Sequence, residues 1–479
     1  MLQAIFSSTI VAEESPRAAP LRFLLLLGFP NFLLMEKNVG LKAVAGSIVA
    51  AKGFRAAGVF CDIKRLGTGK GSDKGQKRDL ALIVSDEPAT VAGLFTTNQV
   101  CAAPVKVCLE RMKAGQGRAV VVNSGNANAC TGKTGLRDAR AMVEFTEQAL
   151  NLPEGSALVG STGRIGLTLP MDNVRAGIIE AAVELGDTPA HGEQAAEAIM
   201  TSDTRRKQLA VAFKFRGKTI RVGGICKGAG MIQPGMSANG RRPAAAPLHA
   251  TMLCFITTDA AIERAALQTA LNEAVALSFN RITVDGDMST NDTVLVLANG
   301  CARNPVIRRS GSRLSAPGFQ VALNHVCLEL AKMIVHDGEG VSRFVTIRVA
   351  GARNFAEADA AARAVANSSL VKTSWHGGDP NWGRIIDALG YSPAKIVEEK
   401  VDIGYSAPGS SRVLWSLRRG QPTTVNFKSL CVAVAHKQFD LHIRLNLGSG
   451  GALIYAADLT EAYVEFNKGD VSDPASLGG

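Results

Sequence analysis

Short apolar runs alternate irregularly with stretches of helical spacing along most of this 479-residue chain. Residues 81–85, 120–123 and 209–215 are apolar segments of strand length, and each reads as a short buried strand. Arg216-Gly217-Lys218 turns the last of these back into 219–222, which predicts a hairpin. Apolar residues at intervals of three and four predict helices over 136–150, 174–185 and 195–200. The same spacing returns over 262–278, 319–336 and 356–366. A strand is expected just beyond residue 251 and another over 344–349, and the tail from 401 to 456 is strand-rich. Strands and helices interleave without a fixed order, so the expected class is mixed α/β with a layered core. The segment 237–249, with Arg241-Arg242-Pro243 and alanines around Pro247, reads as an exposed loop.

Composition narrows the function classes. A chain with 46% hydrophobic and 20% charged residues is an ordinary globular protein, long enough for one large core or two linked lobes. The net charge of +11 is scattered, with a local excess over 64–78, and only 5% of residues are aromatic. A basic surface without interleaved aromatics argues against nucleic acid and suits small carboxylate substrates. The nine cysteines are odd in number and include no Cys-x-x-Cys, which favours buried thiols in a reducing compartment over disulfides or zinc. The seven histidines lack metal spacing; His436 and His442 flank a strand and read as structural. Neither a metal nor a resident cofactor is therefore expected.

The first fifty residues stand apart. Residues 23–35 are apolar but broken by Pro30 and Asn31, too short to span a membrane, and no small-residue cleavage site follows. Residues 1–50 are read as an N-terminal extension outside the fold, with Met35 as the true start and a cytoplasmic location. A transit peptide, and so an organelle, is the alternative, although Glu13 and Glu14 are unusual in one.

Several segments carry candidate chemistry. Leu66-Gly67-Thr68-Gly69-Lys70-Gly71-Ser72 fails as a phosphate loop, because Gly71 follows the lysine where a Ser or Thr should hold magnesium. Gly160-Ser161-Thr162-Gly163-Arg164-Ile165-Gly166 reads as a turn, either plain or offering backbone and hydroxyl donors to an oxyanion. Asn123 to Cys130 follows a strand with side-chain amides for a substrate or for its own loop. Asp285-Gly286-Asp287, with Asn291-Asp292 nearby, lacks calcium-loop spacing and the distal glutamate. Asp337-Gly338-Glu339-Gly340 ends a helix and offers either a carboxylate for an ammonium group or a glycine cap beside an exposed acid. Cys226-Lys227-Gly228-Ala229-Gly230 leads towards Ala250-Thr251, followed by an apolar strand. Cleavage there would leave Thr251 with a free α-amine near its own hydroxyl, able to act as its base.

Together with Lys52-Gly53-Phe54-Arg55-Ala56-Ala57-Gly58, Thr96-Thr97-Asn98-Gln99, Met200-Thr201-Ser202-Asp203-Thr204, Ser278-Phe279-Asn280-Arg281 and Asp379-Pro380-Asn381-Trp382-Gly383-Arg384, these blocks closely resemble the ornithine acetyltransferase / N-acetylglutamate synthase family of arginine biosynthesis. The resemblance runs from about Lys52 to Asn467. It implies a layered α/β fold, superficially similar to N-terminal-nucleophile hydrolases but different in topology, that cuts itself between Ala250 and Thr251. The α chain would be 51–250 and the β chain 251–479, assembled as α2β2. It implies Thr251 as nucleophile, Thr162 and Gly163 as oxyanion hole, and Thr201, Lys227, Thr251, Glu339 and Asn467 as substrate-binding residues. The activity implied is acetyl transfer from N2-acetyl-L-ornithine to L-glutamate by ping-pong kinetics, with acetyl-CoA a co-substrate in members that also make N-acetylglutamate.

Three departures accompany the resemblance. Residues 237–249 separate Met236 from Ala250, where the family runs directly from Met-Ala to Thr. Arg164 replaces a small apolar residue beside the oxyanion turn. The chain continues past Asn467 to Gly479, with Ser472 as the nearest equivalent of a terminal Ser or Thr that touches substrate. Two rivals stay open: an N-terminal-nucleophile hydrolase using water, and a non-enzymatic binding protein in which the insert blocks cleavage.

Overall fold

The computed structural model describes residues 39–64, 77–241, 252–311 and 313–468. In chain order the first half forms β1 (Lys42–Ala43), β2 (Phe54–Val59), β3 (Leu80–Phe95), α1 (Ala103–Arg111), β4 (Gln116–Asn126), α2 (Gly132–Ala149), β5 (Ala157–Arg164), α3 (Met171–Val183) and α4 (Pro189–Ala198). It continues through β6 (Lys207–Phe215), β7 (Lys218–Lys227), β8 (Leu253–Thr258), α5 (Arg264–Leu277), β9 (Ile282–Thr283), β10 (Thr293–Ala298), β11 (Arg309–Ser310), β12 (Arg313–Leu314) and α6 (Pro317–His336). The remainder is β13 (Phe344–Ala352), α7 (Phe355–Asn367), α8 (Ser369–His376), α9 (Trp382–Gly390), β14 (Asp402–Ser406), β15 (Leu414–Arg418), β16 (Gln421–Pro422), α10 (Phe427–Ala435), β17 (Gln438–Arg444), β18 (Gly450–Ala457) and α11 (Glu461–Phe466).

Two mixed sheets organise these elements. The first has nine strands in the order β1-β6-β7-β8-β10-β3-β4-β5, with β2 also on β3. Its middle strands are apolar at nearly every position because both faces are covered. Leu253, Phe255, Leu295 and Leu297 face one core with α1 to α4, while Cys254, Ile256, Val294 and Val296 face the other with α5 and α6. The second sheet runs β16-β15-β14-β17-β13-β18-β9. α6 packs on β6 and β7 and reaches β18, and α7 closes the far face of the second sheet. The layered mixed α/β class expected from the sequence is the one observed.

Several elements differ from their expected bounds. β3 has sixteen residues, where a strand over 81–85 was expected, because the chain bulges between Val84 and Ala89 and continues past Asp86-Glu87-Pro88. The hairpin of β6 and β7 turns at Arg216 (φ 46°) and Gly217 (φ 79°), a pair of positive φ values that matches the twist of the strands. α10 interrupts the strand-rich tail. The extension set at 1–50 gives its last residues to the fold: β1 pairs with β6, and Ile48 and Val49 are buried in the first core. Thr257 Oγ1 donates to Ile48 O at 2.6 Å, and Ser47 O lies where a Cβ on Gly223 would stand. Residues 1–38 and the Leu66–Ser72 motif lie outside the described residues. No described helix is long and apolar enough to cross a membrane.

Candidate active site

The site gathers where β7 ends and β8 begins. These strands are antiparallel, and Lys227 stands opposite Leu253. On the other side of β8 the parallel β10 sets Thr293 opposite Leu253 and, across β3, opposite Phe95. Met252 is thereby clamped by its backbone: its N–H donates to Asp292 Oδ1 at 2.6 Å and its carbonyl accepts from Thr293 N at 3.1 Å.

A buried charge cluster lies beside this point. Lys207 begins β6 and donates to Asp203 Oδ1 at 2.6 Å and to Asp337 Oδ2 at 2.5 Å. Asp203 also accepts from Gly228 N at 2.7 Å and Thr201 N at 2.9 Å. Burial alone would raise the Asp203 pKa, but Lys207, Lys227 and the Gly228 N–H hold it well below the usual carboxylate range. Lys227 is pulled the other way. Burial lowers its pKa, and among the described residues its single contacting carboxylate, Asp203 Oδ2, is 3.9 Å away. Its ammonium therefore keeps donor capacity that no tight partner among the described residues consumes.

Glu339 closes the other end. Its N–H donates to Ala229 O at 2.9 Å, and its carboxylate accepts from Asn467 Nδ2 at 2.9 Å. A Cβ on Gly230 would stand 2.4 Å from the Glu339 carboxyl group, so a glycine is needed for this close approach. Asp285 joins the two chain segments, accepting from Met231 N at 2.6 Å, Ile232 N at 2.8 Å and Tyr463 Oη at 3.4 Å.

Thr162 and Gly163 precede Arg164, the last residue of β5, and stand in register with Ser124 and Gly125 of β4. The segment expected as a turn from Gly160 is strand through Arg164. Gly163 has φ 131°, and a Cβ there would sit 2.2 Å from the Gly125 carbonyl carbon. Asn291 ties this strand end to the clamp, donating to Ser161 O at 2.8 Å and Ala127 O at 2.7 Å. Thr162 Oγ1, Ser161 Oγ and Asp292 Oδ2 are buried with no hydrogen-bond partner among the described residues. Buried hydroxyls are seldom left unpaired, so the Thr162 hydroxyl is available to a ligand.

A model of the ArgJ family matches residues 55–469. The chain is 44% identical over 424 residues to the arginine biosynthesis bifunctional protein ArgJ of Symbiobacterium thermophilum, spanning 88% of this chain and 98% of that protein. The chain belongs to the ArgJ family. The protein of the same name from Geobacter sulfurreducens is 43% identical over 416 residues, spanning 87% and 98% of the two chains. Among solved structures, an ornithine acetyltransferase from Mycobacterium tuberculosis complexed with ornithine is 38% identical, with a TM-score of 0.37 over 41% of this chain and all of that one.

The structure brings Thr201, Lys227, Glu339 and Asn467 into one linked cluster, and joins Thr162 and Gly163 to it through Asn291 and Asp292. Ala250 and Thr251, expected as the cut and the nucleophile, lie outside the described residues, as do 242–249 of the insert. Ser237 pairs with Phe95 of β3, and the residues that follow it, Ala238, Asn239 and Arg241, are exposed as expected of a loop. Asp337, read beside a helix cap, is a buried partner of Lys207. Sequence reading missed Lys207, Asp285 and Asp292 as site residues. The available signal was a charge directly beside an otherwise apolar strand, at Lys207 before β6 runs on and at Asp292 before β10.

Proposed function

We propose that the protein transfers acetyl from N2-acetyl-L-ornithine to L-glutamate in arginine biosynthesis, as a glutamate N-acetyltransferase. The observation that carries this reading is the pairing of two opposite charges around the start of β8. Lys227 offers an under-used buried ammonium to a substrate carboxylate, and Glu339 offers a fixed carboxylate to the side-chain ammonium of ornithine. The names of the relatives and the ornithine bound to the mycobacterial protein support the same choice.

In this reading the chain cuts itself between Ala250 and Thr251. The Thr251 hydroxyl attacks the acetyl carbonyl while its α-amine accepts the proton. Thr162 Oγ1 and the Gly163 N–H donate to the developing oxyanion, and the tetrahedral carbon then expels ornithine, whose nitrogen takes up the proton. Thr201 and Asn467 complete the substrate contacts. Glutamate enters the emptied pocket, its amine attacks the acetyl ester, and N-acetylglutamate leaves with Thr251 restored. Acetyl-CoA would enter as an alternative acetyl donor in a second, N-acetylglutamate synthase activity. The cut chains would remain together as α2β2 in the cytoplasm.

Intact-mass measurement of the wild type and Thr251→Ala tests the reading. Wild type should appear as two chains meeting at 250/251, and the variant as one inactive chain. A wild type that stays full-length, or a variant that still splits there, overturns it. Release of free acetate with no dependence on glutamate would favour a hydrolase instead.

A further inference from the structure

Asp285 Oδ2 accepts from Met231 N at 2.6 Å and its Oδ1 from Ile232 N at 2.8 Å, so one carboxylate grips two successive peptide groups. Charge-assisted bonds of this kind are stronger than neutral ones. The grip falls where the backbone is strained: Met231 stands at φ 56°, in the left-handed region that L-residues avoid. Such a conformation persists only where its surroundings over-determine it, and it collects at ligand sites. Val284 N adds a bond to Ile232 O at 2.7 Å. The segment fixed in this way is the one that Glu339 leans on. Glu339 N donates to Ala229 O at 2.9 Å, and the Glu339 carboxyl group leaves no room for a Cβ on Gly230.

On its other side Asp285 reaches α11. Tyr463 Oη donates to its Oδ2 at 3.4 Å, and Tyr463 O accepts from Asn467 Nδ2 at 3.0 Å. The same Asn467 amide donates to Glu339 Oε2 at 2.9 Å. Thr460 Oγ1 accepts from Tyr463 N at 3.1 Å and donates to Gly340 O at 2.7 Å, which ties the start of α11 to the residue after Glu339. These contacts close a ring from Asp285 through Met231 to Gly230 and Glu339, and back through Asn467 and Tyr463. Burial raises the Asp285 pKa against the opposing N–H groups of Ile232, Asp287 and Met231. A carboxyl group taken out of water is costly to keep, and its bonds within the ring offset that cost.

We propose that Asp285 is a positioning residue for the ammonium end of the site: it sets the place of the Glu339 carboxylate, and through it the preference for a substrate with a terminal ammonium. The role rests on the reading of Glu339 above, since Asp285 acts through that residue. A displacement of about 1 Å in a group that holds substrate can cost about 100-fold in rate. A substrate lacking the ammonium gains nothing from Glu339, and so is less sensitive to where Asp285 holds it.

The test is the ratio of kcat/KM for N2-acetylornithine to that for N2-acetylnorvaline, which has the same carbon chain without the terminal amine, with glutamate as acceptor throughout. Asp285→Asn keeps the size of the side chain but turns an amide N–H towards one of the two peptide N–H groups. The ratio should fall about 10-fold or more. A ratio at the wild-type value, including an equal loss for both substrates, overturns the proposal. Circular dichroism checks folding. If Asp285→Asn does not fold, Tyr463→Phe decides, because it cuts one link of the ring: a lowered ratio supports the role and a wild-type ratio overturns it. Glu339→Gln separates the two readings. If the ratio survives in Glu339→Gln, Glu339 does not hold the ammonium, and that reading falls together with this one. If it collapses there and holds in Asp285→Asn, only the role of Asp285 falls.

Discussion

Lys207 and Lys372 are both buried, one at the active end of the first sheet and the other beneath the second, yet they are driven in opposite directions. Lys207 touches Asp203 and Asp337 at 2.6 and 2.5 Å, and these carboxylates outweigh the burial that would lower its pKa and raise it instead. Lys372, on α8, gives its Nζ to the carbonyl of Ala457, while Asp285 and Asp458 act from further away. There burial prevails, and the pKa falls to about 8. Lys227 stands between them, with burial dominant and one carboxylate at 3.9 Å. The number of carboxylates in contact, rather than depth, sets how much charge capacity a buried lysine has left. Only a lysine short of partners can take a substrate carboxylate as its own.

The sharpest way to break this comparison is Lys207→Met. The substitution leaves Asp203 and Asp337 buried without their cation, and should cost about 3–5 kcal/mol in denaturant unfolding. A loss below about 1 kcal/mol would mean that the cluster is not what holds α6 to β6. Lys227→Met should behave differently. With no tight pair to break, stability should change little, while KM for N-acetylornithine and for glutamate should rise about 10- to 100-fold, the worth of one charge-assisted hydrogen bond. Equal losses of stability in the two variants would erase the distinction between a satisfied and an available lysine.

Much of the scaffold was legible for the reason that makes it stable. Strands covered on both faces are largely apolar, so β4 and β6 were visible as runs and α6 as a long apolar helix, while β7 was visible through the Arg216-Gly217-Lys218 turn that leads into it. The charged tip of β3 hid its length, because Asp86-Glu87-Pro88 looks like a loop and lies exposed at the bulge. α1 was missed because it is short and opens with Pro104. The candidate site was legible chiefly through the family blocks. Lys207 meets Asp337 across 130 residues of chain, and Asp292 meets Met252 across 40, distances over which no local periodicity extends. Only the sheet register brings those pairs together.

Lys372 sharpens the comparison through pH. Its native pKa of about 8 lies below the ordinary 10.5, so between these values the unfolded chain binds a proton that the native chain does not. Stability should therefore rise as pH climbs from 8 towards 10.5, by up to about 3 kcal/mol. Lys372→Met removes the buried charge, and its melting point should gain on wild type at pH 7 and lose that lead by pH 10.5. A lead that does not shrink with pH would show that packing, not charge, separates the two proteins.

The smallest effect is expected where distance is the same but burial is not. His376 Nε2 lies 2.9 Å from Glu461 Oε2, close to the Lys207–Asp203 separation of 2.6 Å, yet the Glu461 side chain is 91% exposed and that of Asp203 fully buried. Its own backbone N–H, and then His376, hold the Glu461 pKa below the usual value. A depressed carboxylate contributes stability above its unfolded pKa and loses it as pH falls through the native one. Any effect of Glu461→Gln should thus be confined to pH values above the native pKa, and water screening should keep it below detection in thermal melts near neutrality. If Glu461→Gln instead lowered the melting point as far as Lys207→Met, contact distance rather than burial would govern these pairs. The ranking of the three lysines would then have to be rebuilt on distance alone.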